Sequence, residues 1–184
     1  MLQLKAWQDE LKPNQYTREE RTDVYLYLPG RMDVGIKRRE GRLEVKYRIG
    51  PPWPKRIAPG LDGFQETWVK YGFELESAIP ELSGSPADVS TWYEISKFRK
   101  ALVVHRSKIG LEFRPLQYMK DTDVQLEYTR LQVLGQTWFT FGLEWPAGVE
   151  LRLPKPFLTG ILGKDTLSPR DSMGYAEFLQ HRLR

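Results

Sequence analysis

Val34-Gly35-Ile36-Lys37-Arg38-Arg39-Glu40-Gly41-Arg42-Leu43-Glu44-Val45-Lys46-Tyr47-Arg48-Ile49 reads as a β-hairpin. Glu40-Gly41 is its tip, because glycine accepts the positive φ of a tight turn. The return arm alternates strictly. Leu43, Val45, Tyr47 and Ile49 share one face, and Arg42, Glu44, Lys46 and Arg48 share the other. From Lys37 to Arg48 six basic residues (Lys37, Arg38, Arg39, Arg42, Lys46, Arg48) stand against two acids, Glu40 and Glu44. Two readings follow. The charged parity is the solvated outer face of a sheet, or it lines the interior of a barrel and holds an anion there.

Working outward, residues 21–28 alternate Thr22, Val24, Leu26 and Leu28 with Arg21, Asp23, Tyr25 and Tyr27, and Pro29-Gly30 ends that strand. Before it, Leu4, Trp7 and Leu11 have helical spacing that Pro13-Asn14 cuts short. Residues 50–63 carry Pro51, Pro52, Pro54 and Pro59, which predicts a long loop. Strands are predicted over 65–75, 92–105, 111–113, 124–134 and 137–145, with a hairpin turn at Gly135 and a loop or a short turn of helix over 80–90. Pro146, Pro154 and Pro156 break residues 146–163. Ser168-Pro169-Arg170-Asp171 has the form of a helix start, and Tyr175, Phe178, Leu179 and Leu183 supply an apolar stripe after it. The fold class expected is mainly β: about eight antiparallel strands forming a barrel or tunnel, with one C-terminal helix, as a single domain over residues 1–184.

Composition narrows the classes. Cysteine is absent, so disulfides and zinc–thiolate sites are excluded. The first ten residues lack the apolar run of a signal peptide, and no apolar run approaches the ~20 residues of a membrane span. A cytoplasmic protein with no membrane partner is expected. The net charge of +4, from 28 basic and 24 acidic residues, favours an anionic partner only where the cations cluster. No RRM or KH pattern occurs, which argues against nucleic acid.

Several common sites fail on their residues. Gly160-Ile161-Leu162-Gly163-Lys164-Asp165 lacks both the spacing of a phosphate loop and the hydroxyl after its lysine. No Gly-x-Ser-x-Gly elbow occurs. His105 and His181 have no metal-ligand spacing, although His105 lies beside Arg106 and Lys108. What remains is charge on strands. Lys37, Arg39, Lys46, Arg48, Lys97 and Arg99 occupy alternating positions suited to a polyphosphate, with arginine bonding in pairs and lysine acting as a point charge. Glu44, Glu127 and Glu144 are the hard-oxygen candidates for Mg²⁺ or Mn²⁺. The plainer alternative is that all of these form cross-strand salt bridges worth about 0–1 kcal/mol each.

Three segments in order carry a resemblance: Arg21-Thr22-Asp23-Val24-Tyr25-Leu26, Gly35-Ile36-Lys37-Arg38-Arg39-Glu40-Gly41, and Leu43-Glu44-Val45-Lys46-Tyr47-Arg48. With Ile95-Ser96-Lys97-Phe98-Arg99, Leu126-Glu127 and Phe141-Gly142-Leu143-Glu144, they resemble the strands of the CYTH (triphosphate tunnel) superfamily. The resemblance implies an antiparallel barrel around a tunnel that binds a triphosphate on inward Lys and Arg and a divalent metal on Glu. The partner it implies is a phosphorylated small molecule or inorganic polyphosphate, and the activity a metal-dependent phosphohydrolase. The chain departs from the family at its E-x-E-x-K signature: neither Glu19-Glu20-Arg21 nor Gln8-Asp9-Glu10-Leu11-Lys12 matches it. A non-catalytic barrel that binds a small mixed or apolar ligand is the alternative expectation.

Overall fold

The computed structural model describes residues 9–75, 91–149, 151 and 153–183. Ten strands carry it: β1 (Thr17–Leu26), β2 (Val34–Arg39), β3 (Arg42–Arg48), β4 (Trp53–Ala58), β5 (Leu61–Gln65), β6 (Trp68–Glu74), β7 (Trp92–Ser107), β8 (Gly110–Arg114), β9 (Val124–Val133) and β10 (Gln136–Glu144). Two helices follow, α1 (Lys155–Leu162) and α2 (Tyr175–Arg182). Eight strands form one antiparallel sheet in the order β10-β9-β7-β1-β2-β3-β6, with β8 on the end of β7. Among the described residues no pairing joins β6 to β10, and no closed barrel is found.

The opening hairpin forms as its alternation requires. Lys37 lies opposite Glu44, and Glu40 (φ 48°) with Gly41 (φ 74°) makes the two-residue turn. Two consecutive residues with positive φ match the twist of the flanking strands. The same device recurs at Leu134 (φ 47°) and Gly135 (φ 73°), which join β9 to β10.

Three segments differ from the sequence reading. The predicted loop over 50–63 is instead a hairpin of β4 and β5, a separate two-stranded ribbon with a register shift between Arg56 and Ala58. Pro54 is tolerated there because each strand of a ribbon keeps one edge unpaired. The proline-broken stretch contains α1: Pro154 caps it and Pro156 lies in its first turn, where a missing N–H costs nothing. Ser168 does accept a hydrogen bond from the Arg170 N–H, but it starts only a 3₁₀ turn, Pro169–Asp171. The α-helix begins after Gly174. The predicted loop or short helical turn over 80–90, and Leu4 and Trp7, lie outside the described residues.

The two faces of the sheet are packed differently. On the even-numbered face of β7 and β9, Leu102, Val104, Leu126 and Tyr128 pack with Ile161 of α1 and with Leu11, Tyr16 and Phe113. On the odd-numbered face, Tyr25, Ile95, Leu131 and Val133 meet Phe178 and Leu179 of α2. Helix α2 is tied down by Gln180, which accepts from the Gly30 N–H (3.2 Å) and donates to the Leu28 carbonyl (2.5 Å). The apolar end of the odd face is thus capped, and on β1 and β7 its charged stretch begins two residues further along, at Asp23 and Lys97.

Candidate functional site

The charged parity of the hairpin faces inward. Asp23 is completely buried, and Lys37, Glu44, Lys97 and Arg99 are each less than a tenth exposed. The apolar parity of β3 and β6 faces outward: Tyr47, Ile49, Tyr71 and Phe73 are each about half exposed. This is the reverse of what transfer free energy alone would select, and it requires that every inward charge find a partner.

Asp23 is the hub. Its carboxylate accepts from Arg39 (Nε to Oδ1, 2.7 Å), pairs with Lys97 (2.9 Å) and Lys37 (3.3 Å), and accepts from the Tyr25 hydroxyl (3.3 Å). Neighbouring strands place these groups. β1 lies between β2 and β7, and the register sets Arg21 opposite Lys97 and Tyr25 opposite Lys37. Burial pushes the Asp23 pKa up, but Lys97 and Arg39 together overcome it and hold the carboxyl below its usual range. Lys97 is boxed in. It donates to Tyr25 Oη (2.6 Å) and lies 3.7 Å from the centre of the Tyr175 ring, which itself stacks on Tyr25. Burial lowers the Lys97 pKa to about 8, against the opposing pull of Asp23. Burial also raises both tyrosines, so Tyr25 and Tyr175 stay protonated.

Two further networks flank the hub. Towards β6, Glu44 pairs with Lys37 (2.7 Å) and Lys70 (2.7 Å), and Arg48 pairs with Glu66 (2.5 Å), whose second oxygen accepts from the Trp68 indole (3.0 Å). Towards β9, Arg99 bonds Glu127 (2.7 Å) and Glu19 (2.9 Å), and Glu19 also pairs with Arg21. Glu127 accepts from Thr129 (2.7 Å), and Gln125 reaches 3.5 Å from both Glu127 and Glu144.

The six candidate cations therefore share one face, and carboxylates partner most of them. Lys37, Arg39 and Lys97 converge on Asp23; Arg99 and Arg48 have acids of their own. Lys46 differs. It lies directly across from Lys70 and on its other side from Gly35, and among the described residues it has no acid partner. A Cβ built on Gly35 would meet nothing within 4 Å, so the space beside Lys46 is open.

The three candidate metal ligands do not fit a divalent ion as a set. Glu44 lies on β3, four strands away from Glu127 on β9 in the sheet order, and is occupied by Lys37 and Lys70. Among the described residues no three acids or histidines are grouped so as to hold a metal. His105 is not a bare surface residue: its Nδ1 lies 2.7 Å from the buried carboxylate of Asp123.

Sequence reasoning passed over Asp23, Glu19, Tyr175 and Lys70 as site residues. For Asp23 the signal was present, since Arg21, Asp23 and Tyr25 share one parity of their strand. For Tyr175 there was none, because its partner Lys97 is remote in the chain. Compared with known protein families, curated proteins and solved structures, the chain matches none.

Proposed function

We propose that the inward charged face is a non-catalytic binding surface for a phosphorylated small molecule or inorganic polyphosphate, received at Lys46 and Lys70 beside Gly35. The observation that carries this reading is the Lys46–Lys70 cross-strand pair. Like charges directly opposite one another destabilise a sheet, and the carboxylate of Glu44 offsets only Lys70. A phosphate oxygen between the two ammonium groups would offset both, and the side-chain-free position at Gly35 leaves it room. An inward charged parity, in the strand order quoted above, also supports a divergent relative of the CYTH superfamily; a sheet with no pairing between its end strands among the described residues does not.

Binding is favoured over hydrolysis because Glu44 lies strands away from the neighbouring Glu127 and Glu144, and all three are engaged with Lys, Arg or Gln side chains. An apolar ligand is disfavoured because the exposed aromatic side chains of β3 and β6 point away from this face. Titration calorimetry with tripolyphosphate tests the proposal. Heat at low salt that weakens towards 0.15 M, where the screening length is about 8 Å, is expected. Lys46→Ala should weaken binding and reduce its salt dependence. No heat at low salt, or a Lys46→Ala variant that binds as well as wild type, refutes the site.

A further inference from the structure

We propose that β6 is the seam of a two-fold homodimer in which two copies of the strand pair antiparallel with Gly72 on the axis. β6 ends the sheet, and among the described residues no strand lies on its outer side. The backbone bonds already in place show which groups remain. The Leu75 N–H donates to Gly41 and the Ile49 N–H to Thr67, each across a directly opposed pair of the β3–β6 register. Odd-numbered residues of this strand therefore point their N–H and C=O groups at β3, and Trp68, Lys70, Gly72 and Glu74 point theirs at the free edge.

An edge of this kind is a template for another strand, and proteins commonly blunt it with an edge lysine. Here the charges instead suit self-pairing. A two-fold axis at Gly72 sets Lys70 opposite Glu74 of the partner subunit and Glu74 opposite Lys70 of the partner subunit. Both are hydrogen-bonded positions, so the backbone and the side chains agree. Gly72 meets its own copy, and neither has a side chain to clash. On the other face Tyr71 comes opposite Phe73 of the partner subunit in a non-hydrogen-bonded pair, where side chains approach most closely. Registers shifted by four residues lose this match: an axis at Lys70 opposes two lysines, and an axis at Glu74 opposes two glutamates.

The exposed surface is continuous with this seam. Tyr71 and Phe73 are 56% and 54% exposed and lie across from Val45 and Leu43 of β3; Tyr47, 49% exposed, is the diagonal neighbour of Tyr71, and Ile49, 52% exposed, follows just past the end of β3. None of the four belongs to the packed clusters. At the opposite edge β10 packs its aromatics, with Trp138 against Phe178 and Phe139 against Tyr128. A contiguous apolar patch rimmed by charge marks an association site.

Sedimentation of the full chain over a range of concentrations tests the seam, with charge reversals at the two paired positions. Glu74 is 68% exposed at its side chain and Lys70 50%, but each already has a partner, Arg42 for Glu74 (2.5 Å) and Glu44 for Lys70 (2.7 Å), so circular dichroism and urea unfolding first check that each variant is folded. Wild type should be a dimer. Lys70→Glu, which opposes acid to acid twice, and Glu74→Lys, which opposes lysine to lysine twice, should each shift it to monomer. Mixing the two single variants should form a heterodimer, because each then presents the complement of the other. A wild-type chain that stays monomeric up to its solubility limit overturns the proposal. So does a dimer indifferent to both reversals, or a mixture of monomeric variants that fails to associate.

Discussion

Replacing Asp23 by Asn removes the hub charge and keeps its shape. The carboxylate is fully buried and faces Lys97, Lys37 and Arg39, whose side chains are 3%, 10% and 20% exposed. Removing one member of a buried ionic cluster costs about 3–5 kcal/mol, because the remaining charges stay buried and uncompensated. The loss divides between two kinds of cation. Lys97 can escape by releasing its proton. With its pKa at about 8, its protonated state is favoured at pH 7 by one unit, about 1 kcal/mol, and that bounds what its loss of a partner can cost there. Arg39 cannot release a proton; the asparagine keeps one acceptor oxygen, so one of its two hydrogen bonds to Asp23 is lost and its charge is left without a counterion. Asp23→Asn should therefore destabilise the chain by about 3–5 kcal/mol at pH 7 in urea unfolding, and by about 1 kcal/mol less above pH 8. Adding Lys97→Met should recover part of the loss, since an apolar side chain needs no counterion. A loss below about 1 kcal/mol, or one that grows between pH 7 and pH 9, would refute the view that Asp23 neutralises these cations.

Lys97 also carries a signature of its own. Its pKa is lower in the folded protein than the ordinary 10.5, so between about pH 8 and pH 10.5 the unfolded chain binds more protons and this group makes stability rise with pH. Above about pH 10 the buried tyrosines oppose it, because the unfolded chain ionises them first. The difference in unfolding free energy between wild type and Lys97→Met should climb between pH 8 and pH 10, and a flat difference would contradict the burial of an ammonium group. Gln180→Ala should cost about 1–3 kcal/mol, because it leaves the Leu28 carbonyl and the Gly30 N–H without their tie to α2; unchanged urea unfolding would show that the helix is held by packing alone. Leu131→Ala, at a fully buried position under α2, should cost about 2–5 kcal/mol in the same assay, and a loss below 1 kcal/mol would show that the helix collapses into the space.

Local chemistry made the hairpin legible. Strict alternation from Arg42 to Ile49 and a glycine at the tip specify strand, turn and the division of side chains between two faces, because the period of two and the positive φ are properties of the chain itself. The same reasoning located the strands from β7 to β10 and the Leu134-Gly135 turn. It failed where proline was read only as a breaker. Pro54 lies in a ribbon strand and Pro154 and Pro156 open a helix, and whether a missing N–H matters depends on which edge or turn receives it. Alternation also could not say which face turns inward. Apolar burial alone would put Tyr47 and Ile49 inside. The fold puts Asp23, Lys37 and Glu44 there, because β1 brings Asp23 against Arg39, sixteen residues on, and Lys97, seventy-four residues on. A buried carboxylate with those partners is stable and without them is not, and only the assembled sheet supplies them.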